Sequence, residues 1–112
     1  MLKRPAEVRV FISLEPCDMR RQLDSLAALV RAGMERDPEN GDLYIFCNRR
    51  NDLLKALFVD RHSYCMLVKR LSRGRFRVRV ADQHSGHVEM EAKELATLLS
   101  ELSFVRERTI DT

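Results

Sequence analysis

Four apolar runs of strand length follow one another with only a few polar residues between them, and that spacing limits the possible folds more than any other feature of the chain. Leu43 to Cys47, Leu53 to Val59, Tyr64 to Arg70 and Phe76 to Val80 are separated by Asn48-Arg49-Arg50-Asn51-Asp52, Arg61-His62-Ser63 and Ser72-Arg73-Gly74. Connectors this short leave no room for a crossover, so successive strands are expected to pair antiparallel. Upstream, Val8, Val10, Ile12 and Leu14 alternate with Arg9, Phe11 and Ser13, the period-two pattern of a strand with one buried face. Asp18 then stands as a candidate N-cap. Met19, Leu23, Leu26, Ala27, Val30 and Met34 recur at helical spacing, predicting an amphipathic helix from about Met19 to Glu35. The turn formers from Asp37 to Asp42 end it.

After a polar loop from Ala81 to His87, Val88 to Met90 reads as one more short strand. Glu91 to Leu102 reads as a helix with Leu95, Leu98, Leu99 and Leu102 on one side. The expected architecture is therefore an α+β domain. It comprises an antiparallel β meander of about five to six strands, one helix after the first strand and one C-terminal helix. With 112 residues and 45% of them hydrophobic, the chain suffices for one core and not for two, so residues 1–112 are expected to form a single domain. The Met-Leu-Lys-Arg-Pro start lacks the apolar run of a signal peptide and no stretch approaches membrane-spanning length, which predicts a cytoplasmic protein that does not engage a membrane.

The formal charge of +3 conceals an uneven distribution. Residues 1–48 carry a net −1, residues 49–79 a net +8 and residues 80–112 a net −4. Of the 20 basic residues 16 are Arg, whose forked guanidinium suits phosphate and carboxylate. Within the basic block, Arg73, Arg75, Arg77 and Arg79 alternate with Phe76, Val78 and Val80. On a strand these four guanidinium groups would project from one face about 6.7 Å apart, close to the spacing of neighbouring phosphates. Lys69 and Arg70 on the preceding strand, with Arg49 and Arg50 in the earlier hairpin, would widen the row into a patch for a polyanion. The plainer reading is a set of solvated strand faces that resist aggregation.

Other chemistries find little support. Cys17, Cys47 and Cys65 are odd in number and form no Cys-x-x-Cys pair, so they read as reduced thiols, with Cys47 and Cys65 in the core. Cys17 precedes the first helix, where a thiolate gains stabilisation, but no histidine is near it in sequence to serve as base. His62 with Cys65 and His84 with His87 have a spacing compatible with zinc, although polar loops account for the histidines equally well. Tyr44, Phe46, Phe58 and Phe76 fall in apolar alternations, which favours core packing over a base-stacking platform. The sequence contains no phosphate-binding glycine loop, nucleophile elbow or His-Glu-x-x-His motif. A non-enzymatic protein is expected, with no cofactor, no catalytic residue and no metal.

One ordered series of short motifs carries a resemblance. Asp18-Met19-Arg20-Arg21, Leu26-Ala27-Ala28-Leu29-Val30, Asn48-Arg49-Arg50, Lys69-Arg70-Leu71 and Arg73-Gly74-Arg75-Phe76 occur in the order seen in the TnpB, or Orf-two-like, accessory proteins of insertion sequence family sixty-six. The chain resembles that family from about Val8 to Leu102. Members are encoded beside a separate DDE-type transposase, so the resemblance implies a helper role in DNA transposition and supplies no catalytic site. The implied partners are DNA, in particular the element ends, the transposase of the same element, or both. The rival reading is a protein interaction module that grips the transposase without touching DNA.

Overall fold

The computed structural model describes residues 7–77, 86–91 and 93–96. Its elements are β1 (Val10–Ser13), α1 (Leu23–Gly33), β2 (Leu43–Cys47), β3 (Leu53–Asp60), β4 (Ser63–Arg70) and β5 (His87–Met90), with a further helical stretch at residues 93–96. The five strands form one sheet in the order β4-β3-β2-β1-β5. The α+β class is as expected, but the sheet is mixed and not an antiparallel meander. β2, β3 and β4 do form two successive antiparallel hairpins, whereas β1 lies parallel to β2 with Val10 opposite Leu43. The physical reason is the helix between them: α1 carries the chain back across the sheet, so β2 enters at the same end as β1. β5 closes the other side by pairing antiparallel with β1, Phe11 opposite Glu89.

Both faces of the sheet's central strands are covered. On one, α1 presents Leu26, Ala27 and Val30, which with Met34 and Cys17 pack against Phe11, Tyr44, Phe46 and Leu57. On the other, Val10, Ile12, Ile45, Cys47, Leu54 and Ala56 lie beneath Leu71 and Phe76, and Leu95 packs on the same cluster. Strands covered on two faces lose the strict alternation of a half-exposed strand and become continuous apolar runs, as in Tyr44–Cys47. Lys55 interrupts this pattern: it lies on β3 yet is buried, and its Nζ donates to the carbonyls of Met19 and Arg21, both at 2.7 Å.

Several boundaries differ from expectation. The helix begins at Leu23 and not near Met19, and its N-cap is Gln22 in an extended conformation without a side-chain cap bond. Asp18 caps a separate turn: its carboxylate accepts from the Arg20 amide at 2.9 Å and from the Arg20 Nη2 at 2.6 Å. The helix ends at Gly33, after which the Arg36 amide bonds the Val30 carbonyl and Glu35 takes φ 54°, the left-handed cap that more often belongs to glycine. Arg61 and His62 form the two-residue turn between β3 and β4, both with positive φ. The strand expected from Phe76 to Val80 is absent in its described part, because residues 72–77 are irregular and Gly74 takes φ 74°. Residues 78–85, and residues 92 and 97–102 of the expected C-terminal helix, lie outside the described residues.

Candidate nucleic-acid interface

The turn from Asn48 to Asp52 organises one end of the sheet. The Asn48 Oδ1 accepts from the backbone amides of Asp52 (3.0 Å) and Leu53 (3.1 Å), while its Nδ2 donates to the Asp52 carboxylate at 2.6 Å. Asn51 closes the turn with φ 57°. Arg49 and Arg50 are thereby held at its exposed tip. Both side chains are exposed, that of Arg50 to 79%.

The segment after β4 folds back onto this turn. The Leu71 amide donates to the Asp52 carbonyl at 2.8 Å and the Phe76 amide to the Asn51 carbonyl at 2.6 Å. Leu71 and Phe76 are buried over Leu54 and Ala56, so the side chains between and beside them are pushed outward: Arg73, Arg75 and Arg77 are all exposed. Arg70 and Lys69 are paired in register with Leu53 and Leu54 at the same end of the sheet. Arg49, Arg50, Lys69, Arg70, Arg73 and Arg75 are therefore gathered at one end by two backbone hydrogen bonds and two buried apolar anchors. The exposed-arginine, buried-Phe76 alternation read from sequence survives, but as an irregular segment clamped to a turn, so the regular 6.7 Å row is replaced by a cluster. Arg79 lies outside the described residues.

The acidic groups nearest this cluster are engaged. The hydrogen bond from Asn48 holds the Asp52 carboxyl below the usual carboxylate range, aided by the nearby charges of Arg50 and Arg70. Arg50 Nε stands 3.9 Å from the Asp52 Oδ2. At the same end, where β1 leaves the sheet, the Cys17 amide donates to the Cys47 carbonyl at 2.9 Å, and Lys55 ties down the backbone of Met19 and Arg21. This brings in two arginines outside the candidate binding residues read from sequence, Arg20 and Arg21, both exposed. Arg20 is ion-paired with Asp18, whose carboxyl it holds far below the ordinary range, and Arg21 Nη1 contacts the Ser25 hydroxyl at 2.5 Å. The signal that would have found them is Lys55 itself, a lysine inside a two-faced buried strand that needs a loop carbonyl to bond.

Two of the three thiols, Cys17 and Cys47, are buried. Burial pushes the Cys17 thiol above its ordinary pKa, outweighing the nearby charges of Arg21 and Lys55, and pushes Cys47 up to about 12. Cys65, expected in the core, is only partly buried on β4. Among the described residues no group of three or more His, Cys, Asp or Glu is placed to hold a metal ion. His62 sits in the exposed turn before β4, His87 stacks at a tilt near Phe11, and His84 lies outside the described residues. Tyr44, Phe46 and Phe76 are buried and Phe58 half-buried. Among the described residues no helix is long and apolar enough to cross a membrane.

These features define a small α+β domain with a mixed sheet and exposed basic side chains at one end of it. The comparison with known proteins gives the family: the chain belongs to the IS66 Orf2-like proteins, whose family model matches residues 8–109. That family is associated with IS66 transposition as an accessory protein. Among curated relatives, the chain is 36% identical over 100 residues to the uncharacterized protein y4hO of Sinorhizobium fredii, covering 89% of this chain and 85% of the relative. It is 28% identical over 99 residues to the uncharacterized protein y4jC of the same organism, covering 88% and 83%. No solved structure is significantly similar to it.

Proposed function

We propose that this transposition-associated protein works without chemistry of its own, by binding the phosphate backbone of DNA at the element ends through the basic end of its sheet. The observation that carries this reading is the convergence of Arg49 and Arg50 with Lys69, Arg70, Arg73 and Arg75 by way of the Leu71 and Phe76 backbone bonds to the Asn48–Asp52 turn. Clustered exposed guanidinium groups with few competing carboxylates attract phosphate, and an irregular cluster without stacking aromatics matches backbone contact better than base readout. Arg77 and Arg79 extend the same segment and are assigned to the same surface, and Arg20 and Arg21 border it.

The test is a gel mobility shift with the element's terminal repeats, with and without its DDE-type transposase. The wild-type chain is expected to shift the DNA alone. Replacing Arg73 and Arg75 with Glu is expected to abolish that shift while leaving the melting temperature unchanged, because both side chains project into solvent. A shift that requires the transposase and survives the double substitution would instead identify a module that grips the transposase without touching DNA.

A further inference from the structure

β4 forms one margin of the sheet, and among the described residues no strand lies on its outer side. It is eight residues long, and from Ser63 to Val68 it carries no charge, proline or glycine, the devices that normally protect a free edge. Leu67 and Val68, on opposite faces of this strand, are the two large apolar side chains left most open to solvent among the described residues, at 52% and 49%. The margin at β5 is different, only four residues long and bearing Glu89 in a bidentate pair with Arg9.

We propose that β4 is a self-association edge, pairing antiparallel with β4 of a second copy about a two-fold axis through Met66 to give a continuous ten-stranded sheet. Three features favour a second copy over another strand. A two-fold axis perpendicular to the sheet keeps both α1 helices on one side, which requires paired residues of equal parity and so permits Met66 to face Met66. In that register Cys65 meets Leu67 and Tyr64 meets Val68, so apolar side chains face apolar ones across the five central positions, and both exposed residues of both copies are covered. Charge agrees with this arrangement. Lys69 falls opposite Ser63 and not opposite another cation, and antiparallel pairing sends the two clusters of Arg49, Arg50, Arg70, Arg73 and Arg75 to opposite ends of the joint, where they do not repel across the seam.

A single strand pair is a small interface, so association is expected over roughly 1 to 100 µM. The experiment is sedimentation equilibrium of the full chain, free of DNA, for the wild type, Leu67→Lys, Leu67→Glu and an equimolar mixture of the two variants. The wild type is expected to double in mass across that range. Each charged variant alone is expected to stay monomeric with an unchanged melting temperature, because Leu67 is exposed in the single chain. The mixture is expected to regain the dimer, because the substituted positions lie diagonally across the seam within reach of a Lys–Glu pair. A wild type that stays monomeric throughout overturns the proposal and leaves the edge to a strand from a different protein. Variants that dimerise like the wild type, or a mixture that does not, place any association elsewhere and overturn it as well.

Discussion

Lys55 sits between Leu54 and Ala56 in a strand with both faces covered, and its ammonium bonds two backbone carbonyls there. Lys55→Met retains the volume but leaves the Met19 and Arg21 carbonyls without their donor. It is expected to cost about 1 to 3 kcal/mol, measured by urea unfolding, and to loosen the turn that carries Arg20 and Arg21. Glu35 is the opposite case, a residue whose conformation disfavours the side chain it carries. At φ 54° glycine is free of the steric penalty on Cβ, and Glu35 is exposed, so Glu35→Gly is expected to stabilise the fold by about 0.5 to 1 kcal/mol in the same measurement. Neither position is singled out in the reading of the sequence. Lys55 was masked by the apolar run around it, and Glu35 by the assumption that a helix of good formers ends where its turn residues begin, although the exposed or buried state of Arg73, Arg75 and Phe76 was legible from alternation alone.

At the scale of elements, the β2–β3–β4 hairpins were legible because their connectors are too short to do anything but reverse the chain. The parallel pairing of β1 and β2 was not, since the same apolar pattern serves either direction and only the intervening helix decides. The early start expected for α1 failed for a local reason: Asp18 satisfies the Arg20 amide in its own turn, and Lys55 holds the Met19 and Arg21 carbonyls out of helical bonding. The strand expected at Phe76 became a clamp because its amide bonds the Asn51 carbonyl and its ring is buried. Phe76→Asp places an unpartnered carboxylate in that cluster and is expected to unfold the domain or lower its melting temperature by more than ~10 °C, read by circular dichroism. The Asn48–Asp52 turn gives a pH signature. Asp52, like Asp18 and Glu89, has its pKa lowered in the folded protein, by the Asn48 hydrogen bond in the first case and by Arg20 and Arg9 in the others. Such groups contribute stability above their unfolded pKa of about 4 and lose it as pH falls through the folded value, so the melting temperature is expected to be level from about pH 7 to 5 and to decline below about 4. Asp52→Asn is expected to flatten part of that decline.

At the scale of the molecule, the uneven charge is legible in the sequence, whereas the irregular segment that sets its placement was expected as a strand. The net +8 of residues 49–79 is a property of composition, but whether it forms a stripe, a ring or a patch depends on which strands end together. Here the C-terminal end of β2, the start of β3 and the end of β4 coincide, and the Leu71 and Phe76 bonds to the Asp52 and Asn51 carbonyls bring the following arginines to the same place. A cluster of this kind binds phosphate largely through the release of counterions, and that release fixes the salt dependence of binding. If roughly six phosphates are neutralised, affinity for duplex DNA is expected to fall about a thousandfold between ~50 and ~200 mM salt. Removing Arg73 and Arg75 together should lower the log–log slope by about two, since each phosphate contact contributes nearly one. Because the cluster offers charge without base-stacking aromatics, a scrambled duplex of equal length is expected to bind within about tenfold of the terminal repeats when the transposase is absent. Fluorescence anisotropy titrations over that salt range measure the slope and the preference in one series, and a slope near zero would remove the electrostatic basis of the interface whatever the affinity at low salt.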